Sequence, residues 1–151
     1  MSTNDFAGRF NERIATALAA ATKNAPYPSL VGMEVVEQTP GRIVCRVPVR
    51  DAIMNGVGIV HGGAIGSLVD HVLSIVVYPL VEVGRWVATL ELKTSYLAPV
   101  REGEIVAEAT VLSLRKRLGT VRVDVHNVSG EKKTLVATAL GTVYVRDPPN
   151  T

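Results

Sequence analysis

The sequence has one cysteine, few aromatic residues and almost no net charge, and each shortage argues against a class of protein. Cys45 is the only cysteine among 151 residues, so no disulfide forms within them, and a reducing cytoplasm is the expected compartment. The alternating pattern around Cys45 predicts a buried apolar side chain rather than a nucleophile. A net charge of +2, with aromatic residues at only 5%, argues against a nucleic-acid partner.

Uninterrupted apolar runs are also short. Asp70, His71 and Pro79 break the longest one, which leaves fewer than the roughly 18 residues of a membrane-spanning helix. We therefore expect no membrane partner. The apolar stretch at 14–22 lacks the cationic leader of a signal peptide, because acidic residues offset the arginines before it. With 47% apolar and 20% charged residues, a single globular domain with a substantial core is expected.

The residue pattern predicts an α+β domain with the order helix, two strands, long helix, four strands. Asn4 or Asp5 is the expected cap of the first helix, and Pro26 and Pro28 are expected to end it. Alternating or β-rich patterns predict strands at residues 33–38, 42–50, 86–97, 104–114, 121–128 and 133–146. The chain is divided accordingly into an N-terminal helix and connector (1–28), a main domain (29–147) and a tail (148–151).

The stretch 55–80 is the centre of this pattern, because it holds the only long helix between strands. It opens with a glycine-rich loop and continues as a helix with one broad apolar face. The opposite side carries a narrow stripe of small and polar residues: Gly63, Gly66, Ser67, Asp70 and Ser74. Such a helix can bury its apolar face only by lying across the curved antiparallel sheet that follows. The carboxylate on the small-residue stripe indicates a functional site.

Residues with a characteristic spacing surround the long helix. They are Asn55-x5-His61-Gly62-Gly63-x6-Asp70, then Thr89, then Ser95-Tyr96-Leu97-Ala98-Pro99. This combination resembles the hotdog-fold acyl-CoA thioesterases, and within them the branch that is similar to the phenylacetate-pathway enzymes. The resemblance covers roughly residues 32–145.

The resemblance implies a hotdog fold and hydrolysis of a thioester between an acyl group and coenzyme A, with no metal and no separate cofactor. It implies that Asp70 is the nucleophile or the general base for water. The backbone N–H of Gly62 would polarise the thioester carbonyl, Asn55 would hold the reacting group or water, and Thr89 would assist Asp70 or water. The family is built from dimers, often assembled as a dimer of dimers.

Elementary chemistry supports the same roles for the helix. A helix start presents unpaired N–H groups and a partial positive charge, which suits an oxyanion developing from a carbonyl. However, Gly62 and Asp70 lie eight residues apart, about 12 Å along one helix, too far for one carbonyl carbon to contact both. Two such helices packed antiparallel would bring Gly62 beside Asp70 of a second copy. We therefore predict a homodimer with active sites between subunits, where Asn55 and Gly62 come from one chain and Asp70 and Thr89 from the other.

Other polar residues leave alternatives open. His61 is a candidate base, or a group that fixes the loop by hydrogen bonds, and it shows no metal-ligand spacing with His71 or His126. Asn55 can instead form only a turn, and Asp70 can be an ordinary helix residue. Candidate substrate contacts are Gly63, Ser67 and Ser74 on the helix, and, for the phosphates of coenzyme A, the cations Arg101, Arg115, Lys116 and Arg117. The last three of these cations are predicted at a hairpin tip and can equally be a solvated turn.

Three functions follow in order of support. The leading one is a cytoplasmic, metal-independent thioesterase acting on an aromatic or medium-length acyl-CoA. The second is a hotdog dehydratase or hydratase of 3-hydroxyacyl thioesters, which needs a histidine paired with the carboxylate. The third is a non-catalytic module that binds acyl-CoA.

Overall fold

A computed structural model of the protein describes residues 3–147, so the predicted tail at 148–151 lies outside the described residues. The helices are α1 (Glu12–Asn24), α2 (Pro26–Val31) and α3 (Gly62–Ile75). The strands are β1 (Glu34–Thr39), β2 (Arg42–Pro48), β3 (Trp86–Tyr96), β4 (Glu104–Arg115), β5 (Leu118–Ser129) and β6 (Lys132–Arg146). Short 3-10 helices occupy Thr3–Arg9, Asp51–Ile53 and Tyr78–Leu80. The predicted α+β class is confirmed, and the six strands and the long helix follow the predicted order.

The six strands form one antiparallel sheet in the order β1-β2-β4-β5-β6-β3, so β1 and β3 are its edges. Helix α3 lies across one face of this sheet and contacts β2 through β6. Its apolar face is completely buried at Leu68, Val69, Val72 and Leu73. The broad apolar face predicted for this helix is therefore the centre of the core.

Small residues on the inward face of the sheet allow the helix to approach closely. Gly141 of β6 is the clearest case, because a Cβ there would overlap Leu73 Cδ1 and lie 2.8 Å from the Glu91 carbonyl oxygen. Alanines 107, 109, 137 and 139 on the neighbouring inward positions are also buried. Larger side chains in these positions would push the helix away from the sheet.

The N-terminal region differs from the prediction. Instead of one helix capped by Asn4 or Asp5, α1 begins at Glu12, and its cap is Asn11, whose side chain accepts a hydrogen bond from the Ile14 N–H at 3.2 Å.

The segment after α1 also differs from the predicted connector. The chain continues as α2, with Pro26 in its first turn, where a missing N–H costs nothing. The helix ends at Gly32, which adopts a φ of 84°. Pro26 thus starts a helix, and the boundary predicted at residue 28 falls inside it.

The interruptions noted in the apolar stretch do not by themselves rule out a membrane helix. By length and composition, the segment Gly62–Leu80 is apolar enough to cross a bilayer, but more than half of it is buried inside the protein. The segment comprises α3 and the turns that follow it, packed against the sheet. Its hydrophobicity is accounted for by its place in the core.

Candidate active site

The first turn of α3 leaves one backbone N–H group free. His61 is the N-cap, and its Nδ1 accepts a hydrogen bond from the Gly63 N–H at 2.8 Å. The His61 carbonyl oxygen accepts from Ala64 at 2.9 Å and from Ile65 at 3.4 Å. Among the described residues, nothing accepts a hydrogen bond from the Gly62 N–H. This N–H, at the positive end of the helix, is the one available to a ligand.

The hydrogen bond that caps the helix determines the tautomer of the neutral His61 ring. Because Nδ1 accepts a hydrogen bond, the neutral ring carries its proton on Nε2. A Cβ at Gly63 would lie only 2.9 Å from the His61 Nδ1, so the cap also requires glycine at this position. His61 therefore fixes the helix start, and its acceptor nitrogen is already in use.

Asn55 forms the turn that was one of the two alternatives for it. Its Oδ1 accepts hydrogen bonds from the Val57 N–H at 3.1 Å and the Ile59 N–H at 3.2 Å, which closes the glycine-rich loop. Two N–H donors require an oxygen at that position, so the orientation of the carboxamide is determined. Within the described part of the chain, its Nδ2 has no acceptor. The loop therefore uses the oxygen of Asn55 and leaves its NH2 group free to donate.

A mostly apolar cavity of about 380 Å³, here called the Tyr96 cavity, lies against the free N–H group. It is lined by Asn55, Ile59, Val60, Gly62, Ile65, Tyr96, Leu97, Ala98, Pro99 and Val100. The Tyr96 hydroxyl donates to the Gly62 carbonyl oxygen at 3.0 Å, and its ring would be 3.6 Å from a Cβ on Gly62. Sequence reasoning quoted Tyr96 in the motif but assigned it no role, because nothing in the spacing shows that β3 passes beside the helix start.

Asp70 lies two turns beyond Gly62 on α3, with its side chain exposed, and it does not line the Tyr96 cavity. Thr89 lies on β3 opposite Val143, on the face of the sheet that packs against α3, just before a bulge at Leu90. One chain therefore brings Asn55 and Gly62 together and leaves Asp70 outside their cavity. This is the separation expected if the two halves of the helix serve different sites.

The histidine next to Asp70 connects the helices. His71 Nε2 forms a hydrogen bond with Thr22 Oγ1 at 3.0 Å, and Thr22 is buried in α1. Burial lowers the pKa of His71, while the neighbouring Asp70 carboxylate opposes that shift. The structure thus places His71 as a link between α3 and α1.

Ser67 and Ser74 both bond to their own helix. Ser67 Oγ donates to the Gly63 carbonyl oxygen at 2.7 Å, and Ser74 Oγ donates to the His71 carbonyl oxygen at 3.0 Å. Ser67 also lies 2.6 Å from the Tyr27 hydroxyl. Because the Ser67 proton is already used, Tyr27 is the donor in that pair.

The predicted cations separate into two groups. Arg101 directly follows the Tyr96 cavity in sequence, and its guanidinium donates to the Gly58 carbonyl oxygen at 3.3 Å. Arg115, Lys116 and Arg117 form the β4–β5 tip, at the end of the sheet opposite Tyr96. Arg117 donates to the Tyr144 hydroxyl at 3.2 Å and pairs with Asp147. Of these four predicted cations, Arg101 is the one whose guanidinium contacts the loop before Gly62.

A cysteine nucleophile and a metal site have little support from the described residues. Cys45 is completely buried, which confirms the predicted burial, and this burial raises the pKa of its thiol to about 12, so little thiolate forms at neutral pH. Across residues 3–147, no group of three or more His, Cys, Asp or Glu side chains is arranged to hold a metal ion.

Comparison with known proteins gives consistent matches. The family model described as the thioesterase superfamily matches residues 57–134. Human acyl-coenzyme A thioesterase 13 is 30% identical over 112 residues, which is 73% of this chain and 79% of that protein.

Solved structures share the fold. A thioesterase from Haemophilus influenzae has a TM-score of 0.80 at 25% identity, covering 88% of this chain and 90% of its own. The PaaI protein of the E. coli phenylacetic acid degradation operon has a TM-score of 0.80 at 18% identity, covering 92% and 97%. These matches confirm the predicted hotdog fold.

Proposed function

The chain belongs to the thioesterase superfamily, and on this premise we propose that it hydrolyses acyl-CoA thioesters whose acyl group is aromatic or of medium length. Thioester hydrolysis itself follows from membership of the family. The acyl-CoA substrate is supported by the human relative, which is named an acyl-coenzyme A thioesterase. The products are the free acid and coenzyme A, and the reaction uses no cofactor beyond the coenzyme A of the substrate.

The free N–H of Gly62 is the observation that carries this proposal. It points from a helix start beside an apolar cavity, where charge on a carbonyl oxygen is stabilised more strongly than in water. The Asn55 NH2 group at the same cavity is a second donor for the reacting group or for water. Asp70 either attacks the carbonyl carbon, after which water hydrolyses the acyl–Asp70 anhydride to the free acid, or it takes a proton from a water molecule that attacks the carbonyl carbon directly. In both routes the C–S bond breaks, and the coenzyme A sulfur leaves as a thiol after protonation.

We propose that Asp70 and Thr89 reach this site from a second subunit. Gly66 lies midway between Gly62 and Asp70, four residues from each, and it has no side chain to hold two helices apart. Two α3 helices that cross antiparallel at Gly66 would place Gly62 of each beside Asp70 of the other.

The edge strand supports the same dimer. Among the described residues, no strand pairs with the outer side of β3, and Trp86 and Leu90 on it are 54% and 59% exposed. Pairing of β3 with β3 of a second copy would extend the sheet and cover these side chains. A dimer of dimers, in the cytoplasm, is the assembly proposed.

The dehydratase alternative has less support from the geometry. It needs a histidine that exchanges protons with the substrate. The acceptor nitrogen of His61 caps the helix, and the pKa of His71 is lowered while its Nε2 bonds to Thr22. The proposed thioesterase needs neither ring as a base.

Arg101 is the proposed contact for the coenzyme A phosphates, and Arg115, Lys116 and Arg117 remain candidates only through another subunit. We expect Arg101→Ala to raise KM about threefold without changing kcat, because an exposed ion pair contributes up to roughly 1 kcal/mol. Arg101→Lys is the matched variant, and it is expected to keep most of the affinity. An unchanged KM for Arg101→Ala in a steady-state assay would remove Arg101 from the site.

The substrate class is tested by measuring thiol release from a panel of aryl, medium-chain and long-chain acyl-CoAs. We expect the highest kcat/KM among the aromatic and medium-chain members. Binding of acyl-CoA with no thiol release would instead indicate a non-catalytic module. Dehydration of a 3-hydroxyacyl-CoA without thiol release would indicate the dehydratase.

A further inference from the structure

A second cavity, also about 380 Å³, reaches the same helix start and is here called the Tyr27 cavity. His61 and Ala64 of α3 line it, whereas Gly62 and Ile65 line the Tyr96 cavity. Since each pair lies one position from the other along α3, the two cavities meet adjacent faces of the first turn. Among residues 3–147, no Lys, Arg, Asp or Glu side chain lines the Tyr27 cavity. Such a lining would suit an apolar group next to the helix start.

Tyr27 forms the outer wall of this cavity and is held in place by hydrogen bonds. Its hydroxyl donates to Ser67 Oγ at 2.6 Å, and Ser67 in turn donates to the Gly63 carbonyl oxygen. These bonds attach the ring of Tyr27 to α3, about one turn beyond the free N–H. Substitution of Tyr27 should therefore change the wall of the cavity and leave the helix start intact.

The short helix α2, which carries Tyr27, is held in position by hydrogen bonds at its C-terminal end. Gly32 ends it in a left-handed conformation, with its N–H donating to the Pro28 carbonyl oxygen at 2.8 Å, and Arg50 donates to the Leu30 carbonyl oxygen. Tyr27 and Leu30 are nevertheless 55% and 70% exposed. The rim of the cavity thus presents two large apolar side chains that a bound acyl group would cover.

The two cavities match the two arms of an acyl-CoA whose carbonyl lies at the Gly62 N–H. The Tyr96 cavity adjoins Arg101, a cation suited to the phosphate-bearing arm. The Tyr27 cavity, lined mostly by apolar side chains, suits the apolar arm. We propose that the Tyr27 cavity binds the acyl group and that Tyr27 determines how long an acyl chain is accepted. This inference rests on the proposed acyl-CoA thioesterase function.

The test is a chain-length profile of kcat/KM from butanoyl-CoA to hexadecanoyl-CoA for Tyr27→Ala. Removing the ring opens the outer wall, so the optimum is expected to move to longer chains. The ratio of kcat/KM for long over short substrates should rise at least about tenfold, because each further buried methylene contributes roughly fourfold. Tyr27→Phe keeps the ring and loses only the bond to Ser67, so its shift should be smaller.

A second variant fills the same cavity from the helix side. Ala64→Leu is expected to move the optimum towards shorter acyl chains, opposite to the effect of Tyr27→Ala. If Tyr27→Ala fails to fold, the chain-length profile of Ala64→Leu alone tests the assignment of the cavity. Leu97→Ala in the Tyr96 cavity is the control, and it should change KM by the same factor at every chain length.

Failure of this inference can be distinguished from failure of the proposed function. If wild type hydrolyses acyl-CoAs but neither Tyr27→Ala nor Ala64→Leu changes the profile, the assignment of the Tyr27 cavity is overturned and the proposed function stands. If wild type releases no thiol from any acyl-CoA, the proposed function fails and the inference fails with it.

Discussion

Replacing Gly62 with proline is expected to lower kcat by about 10²- to 10³-fold, the loss typical of removing one oxyanion donor. Proline at this position removes the N–H, which has no acceptor among the described residues, and no structural hydrogen bond is lost with it. Gly62 is the first residue of α3, where proline is favoured, and the preceding His61 has a ψ of 133°, which proline tolerates. A loss of activity would therefore arise from the site and not from unfolding.

Gly62→Ala is the matched control, because alanine keeps the N–H. Its Cβ would lie 3.6 Å from the ring of Tyr96, an ordinary van der Waals contact, so thiol release close to that of wild type is expected. Circular dichroism and thermal unfolding should show that both variants fold. Equal activity of folded Gly62→Pro and Gly62→Ala would contradict the role of the Gly62 N–H.

Replacing Asp70 with asparagine is expected to lower kcat by at least about a hundredfold, roughly 2.7 kcal/mol of barrier. Asparagine has nearly the same shape as aspartate, but it neither attacks a carbonyl nor accepts a proton from water at neutral pH. Asp70 is exposed on α3, and no described side chain forms an ion pair with it, so the exchange should not destabilise the fold.

Asp124→Asn serves as the control for Asp70→Asn. Asp124 lies on β5, on the face of the sheet away from α3, where it accepts a hydrogen bond from Thr138 at 2.7 Å that asparagine can also accept. The Asp124→Asn variant should be as active as wild type. Activity of Asp70→Asn within about tenfold of wild type, a difference of roughly 1.4 kcal/mol, would mean that Asp70 is not the central group.

Much of the main domain could be predicted from the sequence because its patterns are local and regular. Alternating or β-rich patterns located all six strands to within a few residues, and the broad apolar stripe identified α3 as the core helix. The predicted start of the first helix was wrong because a tertiary contact accounts for the apolar residue Phe6. Phe6 is buried against Gly41, where a Cβ would lie only 2.5 Å from the ring, so its burial does not depend on a long helix. The cap used is Asn11, which was not among the predicted caps.

The candidate site was predictable only in part. The glycine-rich start of α3 indicated a free N–H by general helix chemistry, and the structure identifies which one is free. The hydrogen bonds that engage the oxygen of Asn55 and leave its NH2 group free depend on the conformation of a loop, which residue types alone do not define. Tyr27 forms a hydrogen bond with Ser67, 40 residues further along the chain, and lies in a proline-flanked segment that looked like a connector. Such long-range contacts leave no periodic signal in a sequence.

The proposed dimer combines Gly62 of one chain with Asp70 of the other in each site. Mixing the two inactive variants tests it most directly: Gly62→Pro and Asp70→Asn are unfolded together, refolded and assayed for thiol release. In a mixed dimer, one site has both residues intact and the other has neither, so random pairing should restore about a quarter of wild-type activity. Native mass spectrometry would verify that mixed dimers form. Activity no greater than that of the separate variants, with mixed dimers present, would contradict the account.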